Sequence, residues 1–150
     1  VAAVSELLAL EQKAHPLPRA VRVMGRWAPL ARIVLPVFHT IVVDIGAGED
    51  RDDIPLLTPL SREEYCAGVL RAFLSDNPPP EETIFSTIPE AELLAYAAAH
   101  GVAIAPAPHD PARDMLDAIA KAQPQTYSSM RRSAERLRPG LERLRGTGRK

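Results

Sequence analysis

LARIVLPVFHTIVVDIGAG, residues 30–48, is the densest run of Val and Ile in the chain. β-Branched side chains pack well on a pleated surface. Pro36 interrupts the run, and proline cannot donate to a strand ladder, so two short strands are predicted, Ala31–Leu35 and His39–Asp44. A continuous apolar run suits strands covered on both faces. The expected fold is α+β and mostly helical, with about five helices around a small sheet built on residues 31–44. A single globular domain over 1–138 and a basic tail over 139–150 are expected.

The flanking segments supply the helices. Val4–Lys13 has Val4, Leu7 and Leu8 at helical spacing, and Pro16 and Pro18 end it. Arg19–Arg32 holds no acidic residue, and on a helix Arg19, Arg22 and Arg26 would share a face, although Gly25 and Pro29 interrupt it. Trp27 is expected as a core anchor. Ser61–Glu64 is a capping box opening a helix whose buried stripe is Tyr65, Cys66, Val69, Leu70, Phe73 and Leu74. Asn77–Glu82, with three prolines, is a linker or tight loop. Thr83–Ser86 and Val102–Ile104 are candidate short strands. Thr87–Glu90 forms a second capping box, and Gly101 is a natural left-handed helix end. Asp110 and Pro111 are suited to the cap and first position of a helix facing inward through Met115, Leu116 and Ile119. A last helix is expected over Ser128–Arg138, followed by a turn at Leu141–Arg145.

Composition narrows the class. The chain has 150 residues, 46% hydrophobic and 25% charged, as globular proteins do, and 15 prolines that imply short elements. No apolar run approaches the roughly 18 residues of a membrane span. No signal peptide is visible, and the start at Val1 is compatible with trimming or a removed targeting peptide. Cys66 is the single cysteine, which excludes an internal disulfide and fits a reducing, intracellular setting, mitochondrial or cytoplasmic.

The net charge of −1 hides a segregation. Val1–Val43 carries five basic and two acidic residues, Asp44–Glu92 three and twelve, and Gln125–Lys150 eight and two. Basic ends around an acidic middle point to a polyanionic partner or to docking in an assembly. Fifteen of the 18 basic residues are Arg, whose planar guanidinium suits bidentate phosphate contacts. The candidate RNA-contacting residues are Arg19, Arg22, Arg26, Arg131, Arg132, Arg136, Arg138, Arg143 and Arg145. In the last helix, Met130, Ala134 and Leu137 supply an apolar stripe for docking while the arginines face phosphate.

No catalytic constellation stands out. Glu49, Asp50, Asp52 and Asp53 lack the glycine and terminal glutamate of a calcium loop, and a solvated acidic loop is the simpler reading. His15, His39, His100 and His109 show no paired metal spacing; His100 suits a helix C-terminus. No cofactor or metal is therefore expected. Asp44-Ile45-Gly46-Ala47-Gly48 resembles the first motif of S-adenosylmethionine-dependent methyltransferases. The acidic pair Glu49-Asp50 stands where a third glycine would, which favours a Gly-rich turn.

Ile88-Pro89-Glu90-Ala91-Glu92 with Ala95-Tyr96 resembles the segment that follows the nucleotide-binding core in PP-loop tRNA-thiolation (2-thiouridine) proteins. Arg113-Asp114-Met115-Leu116, Pro124, Tyr127–Arg131 and Glu135-Arg136-Leu137 resemble that family's closing helices, so the likeness spans about residues 83–138. The family's Ser-Gly-Gly-x-Asp-Ser phosphate loop and its cysteines do not occur here. The resemblance therefore implies a non-catalytic subunit and transfers no catalytic residue. Three readings stand: a non-enzymatic RNA-associated subunit of an assembly such as an organellar ribosome, with neighbouring protein subunits and no membrane; a tRNA-thiolation component without its own PP-loop; and a small methyltransferase.

Overall fold

The computed structural model describes residues 2–14, 17–44 and 53–136. His15, the Gly46–Gly48 turn, Glu49, Asp50, Asp52 and everything from Leu137 onward lie outside them. The fold is α+β and mostly helical, with a small parallel sheet. The residues group into two compact units, one from Val1–Ser61 and Thr83–Pro108, the other from Arg62–Glu82 and His109–Lys150.

The first unit contains helix α1 (Ala2–Ala14), strand β1 (Ala20–Val23), helix α2 (Ala28–Val34), a 3-10 turn at Leu35–Phe38, strands β2 (Ile41–Val42) and β3 (Leu56–Leu57), and helix α4 (Glu90–Ala99). The sheet order is β2-β1-β3, all parallel, so β1 is central. The Ile41 amide donates to Arg19 O at 2.8 Å on one side, and the Arg22 amide donates to Pro55 O at 2.8 Å on the other. The sheet is thus centred on residues 20–23, not on 31–44, and Arg19, Arg22 and Arg26 do not lie along a helix. Gly25, at φ +95°, turns the chain out of β1 where a side chain would be strained, which is why no helix runs through Arg26.

The expected strand Ala31–Leu35 is helix. Pro29 sits in the first turn, where its missing amide costs nothing, and Leu30, Ala31 and Val34 fall on one buried face while Arg32 and Ile33 point outward. One-sided burial overrides the strand preference of the Ile-Val pair. Of the second expected strand, only Ile41–Val42 enters the sheet. His39 adopts φ +61° as it ends the 3-10 turn.

Trp27 is fully buried, as expected of an anchor, and meets Phe85 edge-on with ring centroids 6.4 Å apart. Val4, Leu8, Val21, Leu30, Ile88 and Leu93 complete this core. Thr83–Ser86 forms a turn instead of a strand, because the Ser86 hydroxyl and amide both donate to Thr83 O. Pro89 occupies the cap position of α4 and makes no side-chain bond there, and Glu90, the first helical residue, pairs with Arg26. Val102–Ile104 pairs with no strand; the Val102 amide instead donates to Ala97 O at 2.8 Å and closes the end of α4 beside Gly101 (φ +69°).

The second unit contains α3 (Arg62–Ser75), α5 (Pro111–Ala122) and α6 (126–136). α3 starts directly after Ser61, packs on α5, and buries Tyr65, Cys66, Val69 and Ala72. Asp110 caps α5, its Oδ1 accepting from the Ala112 amide at 3.1 Å, with Pro111 at the first position. Phe73, Leu74, Met115 and Ile119, expected inside, are exposed. The buried rows run along 65, 69 and 72 on α3 and along 112 and 116 on α5, which places Phe73 and Met115 about a quarter-turn away, Ile119 at the edge of its row and Leu74 on the opposite side of α3.

Candidate nucleic-acid interface

The candidate arginines divide by what already holds them. In the first unit, Arg19 precedes β1 and is exposed. Arg22 projects from the central strand, its Nε donating to Ile54 O at 2.9 Å. Arg26 is committed to the fold. Its Nε donates to Ala105 O at 2.6 Å, its Nη1 pairs with Glu90, and its guanidinium lies 4.7 Å from the Trp27 ring centroid. A cation so engaged, with 13% of its side chain exposed, is a structural element and not a phosphate contact.

In the second unit, α6 carries Arg131, Arg132 and Arg136. Arg131 is clamped between Glu82, at 3.6 Å, and Glu135, at 2.8 Å. Arg132 and Arg136 occupy the neighbouring exposed row, one helical turn apart. Arg132 Nε donates to Ser128 O at 3.4 Å, and neither residue has a carboxylate partner among the described residues. Arg138, Arg143 and Arg145 lie outside the described residues. The structure thus leaves Arg19, Arg132 and Arg136 as exposed cations, Arg22 as a partly engaged one, and assigns Arg26 and Arg131 to internal ion pairs.

Behind this face lies a polar cluster that sequence reading missed. Cys66 Sγ donates to Tyr127 O at 3.4 Å, Arg62 Nη2 pairs with Glu63 at 2.9 Å, and Arg62 lies 5.4 Å from the Tyr127 ring centroid. Burial pushes the Cys66 thiol up to about 12 against the counter-pull of Arg62. A thiol held neutral is a poor nucleophile. Burial, together with the hydrogen bond from its hydroxyl to Asp117, also raises the Tyr127 phenol. On Asp110, burial acts upward, but the Arg71 guanidinium and the Ala112 amide outweigh it and lower the carboxyl. These groups orient one another and support α3, α5 and α6.

Arg131–Glu135 and Arg113–Asp117, each four residues apart on one helix, are pairings a sequence can disclose. The Glu82 and Glu90 pairings join distant segments and left no local signal. No helix among the described residues is long and apolar enough to cross a membrane. Likewise, among the described residues no group of three or more His, Cys, Asp or Glu side chains is placed to hold a metal ion. No family model, curated protein or solved structure matches this chain.

Proposed function

We propose that the protein is a non-enzymatic subunit of an RNA-containing assembly, contacting RNA phosphate through α6 and the Arg-rich sequence that follows it. The observation that carries this reading is the row Arg132–Arg136. Arg131 beside it is neutralised by two carboxylates, while these two guanidiniums stay exposed and aligned on a helix. Their spacing, about 6 Å along the axis, allows both to meet one phosphate strand. Gln125–Lys150 adds eight basic against two acidic residues overall, which supports a polyanionic partner.

Arg26 and Arg131 drop out of the contact set, and Arg19 belongs to the other unit. The interaction is accordingly electrostatic positioning, with no base readout implied. The test is binding of the full chain to an RNA duplex with and without R132Q/R136Q. Weaker binding by the double variant, with unchanged melting, supports the reading; equal binding removes it.

A further inference from the structure

The first turn of α6 carries three hydroxyl side chains, and they are not equivalent. Thr126 Oγ1 donates to Gln123 O at 2.6 Å and is spent on the turn before the helix. Ser129 is half-buried. Ser128 is exposed, and its hydroxyl makes no hydrogen bond among the described residues. Ser128, Arg132 and Arg136 follow one another at four-residue intervals, so they share one row of the helix. Arg132 already leans back along that row, its Nε donating to Ser128 O at 3.4 Å. Ser133, also exposed, follows Arg132, on the side from which that side chain turns away. Glu82 and Glu135 are held on Arg131.

The row Arg132–Arg136 carries two positive charges. A phosphate monoester on Ser128 would add a charge of about −1.5 to −2 at neutral pH, so a single modification cancels the row. Its oxygens suit the planar Arg132 guanidinium, which lies within reach of the same residue. An acidic group four residues before a basic one, near the start of a helix, also stabilises that helix. A phosphate on Ser128 and a phosphate of RNA therefore compete for one arginine. The tethered phosphate has the advantage of effective concentration.

We propose that Ser128 is a phosphorylation site whose phosphate pairs with Arg132 and switches off the RNA contact of α6. The donor is a nucleoside triphosphate in the active site of a protein kinase. The serine oxygen bonds to the terminal phosphorus as the bond from that phosphorus to the diphosphate oxygen breaks, and the hydroxyl proton passes to the kinase's base. The proposal rests on the RNA reading above and names its regulation.

The test compares the full chain with and without phosphoserine placed at position 128 during translation. Binding to an RNA duplex should weaken about tenfold, with a salt slope close to that of R132Q/R136Q. The Arg132 Nε–H signal should move, and the melting temperature should not fall. S128A should bind RNA as the native chain does. Phosphopeptide mapping of the chain from its own cells should find phosphate on Ser128. Phosphate absent from Ser128 there, an unmoved Arg132 signal, or weaker binding that comes with a lower melting temperature would overturn the proposal. So would S128A weakening binding as much as phosphoserine does, which would make the hydroxyl itself an RNA contact. Equal binding by R132Q/R136Q and the native chain would end the RNA reading and the switch together. Binding that needs both arginines but ignores the phosphate would end the switch alone.

Discussion

Arg26 and Glu90, 64 positions apart in the sequence, form an ion pair in which the side chains are only 13% and 12% exposed. The pair fastens the turn after β1 to the first turn of α4, and the Trp27 ring beside Arg26 shields it. Removing one partner leaves the other as a poorly solvated charge. E90Q or R26Q should therefore cost about 3 kcal/mol in urea unfolding. Replacing both with apolar residues should cost less than either single change, and a double-mutant cycle measures the difference.

Gly68 lies in the middle of α3, and a Cβ there would sit 2.9 Å from Cγ of Pro80. Alanine gains about 1 kcal/mol of helix propensity at such a position, but the proline ring has little freedom to yield. G68A should therefore destabilise the protein by about 1 kcal/mol. The same change made in a P80A background should instead stabilise it by a similar amount, with thermal melting as the readout.

Cys66 is predicted to react slowly with thiol reagents in the folded protein at pH 8 and rapidly after unfolding. Its folded pKa is raised, to about 12, above the unfolded value near 9. A raised acid binds its proton more tightly in the folded state. Its contribution to stability is therefore complete below about pH 9 and is lost as the pH climbs towards 12. Denaturant midpoints from pH 7 to 11 should fall at the alkaline end less in C66A than in the native protein, once each is referred to its own midpoint at pH 7.

Asp110 behaves in the opposite sense. Its carboxyl is lowered, chiefly by Arg71, so its contribution is present above the ordinary carboxyl value of 3.8 and fades as the pH falls below it. R71Q should lower stability at pH 7 more than at pH 3, so that acidification costs the variant less than the native protein. D110A should cost about 1 kcal/mol at neutral pH through loss of the α5 cap. Both are measured by unfolding at pH 7 and pH 3.

The sequence disclosed those features whose causes are local. Asp110-Pro111 announces a helix start, Gly101 a left-handed end, and Trp27 a buried anchor, and each is found in place. Ala31–Leu35 misled because a short apolar run carries no period long enough to separate strand from helix. The central strand Ala20–Val23 was hidden by its own Arg22, which breaks the apolar run and donates to Ile54 O. The sorting of the arginines was legible only in part. Glu135 lies one turn from Arg131, whereas Glu82 and Glu90 reach their arginines across the fold.

The claim that Arg132 and Arg136 meet phosphate is tested most directly by the salt dependence of binding to an RNA duplex. The logarithm of the affinity should fall linearly with the logarithm of salt concentration, and R132Q/R136Q should flatten that slope by about 1.8, taking about 0.9 per duplex phosphate contact. A slope that the double variant leaves unchanged, or binding indifferent to salt, would contradict the account.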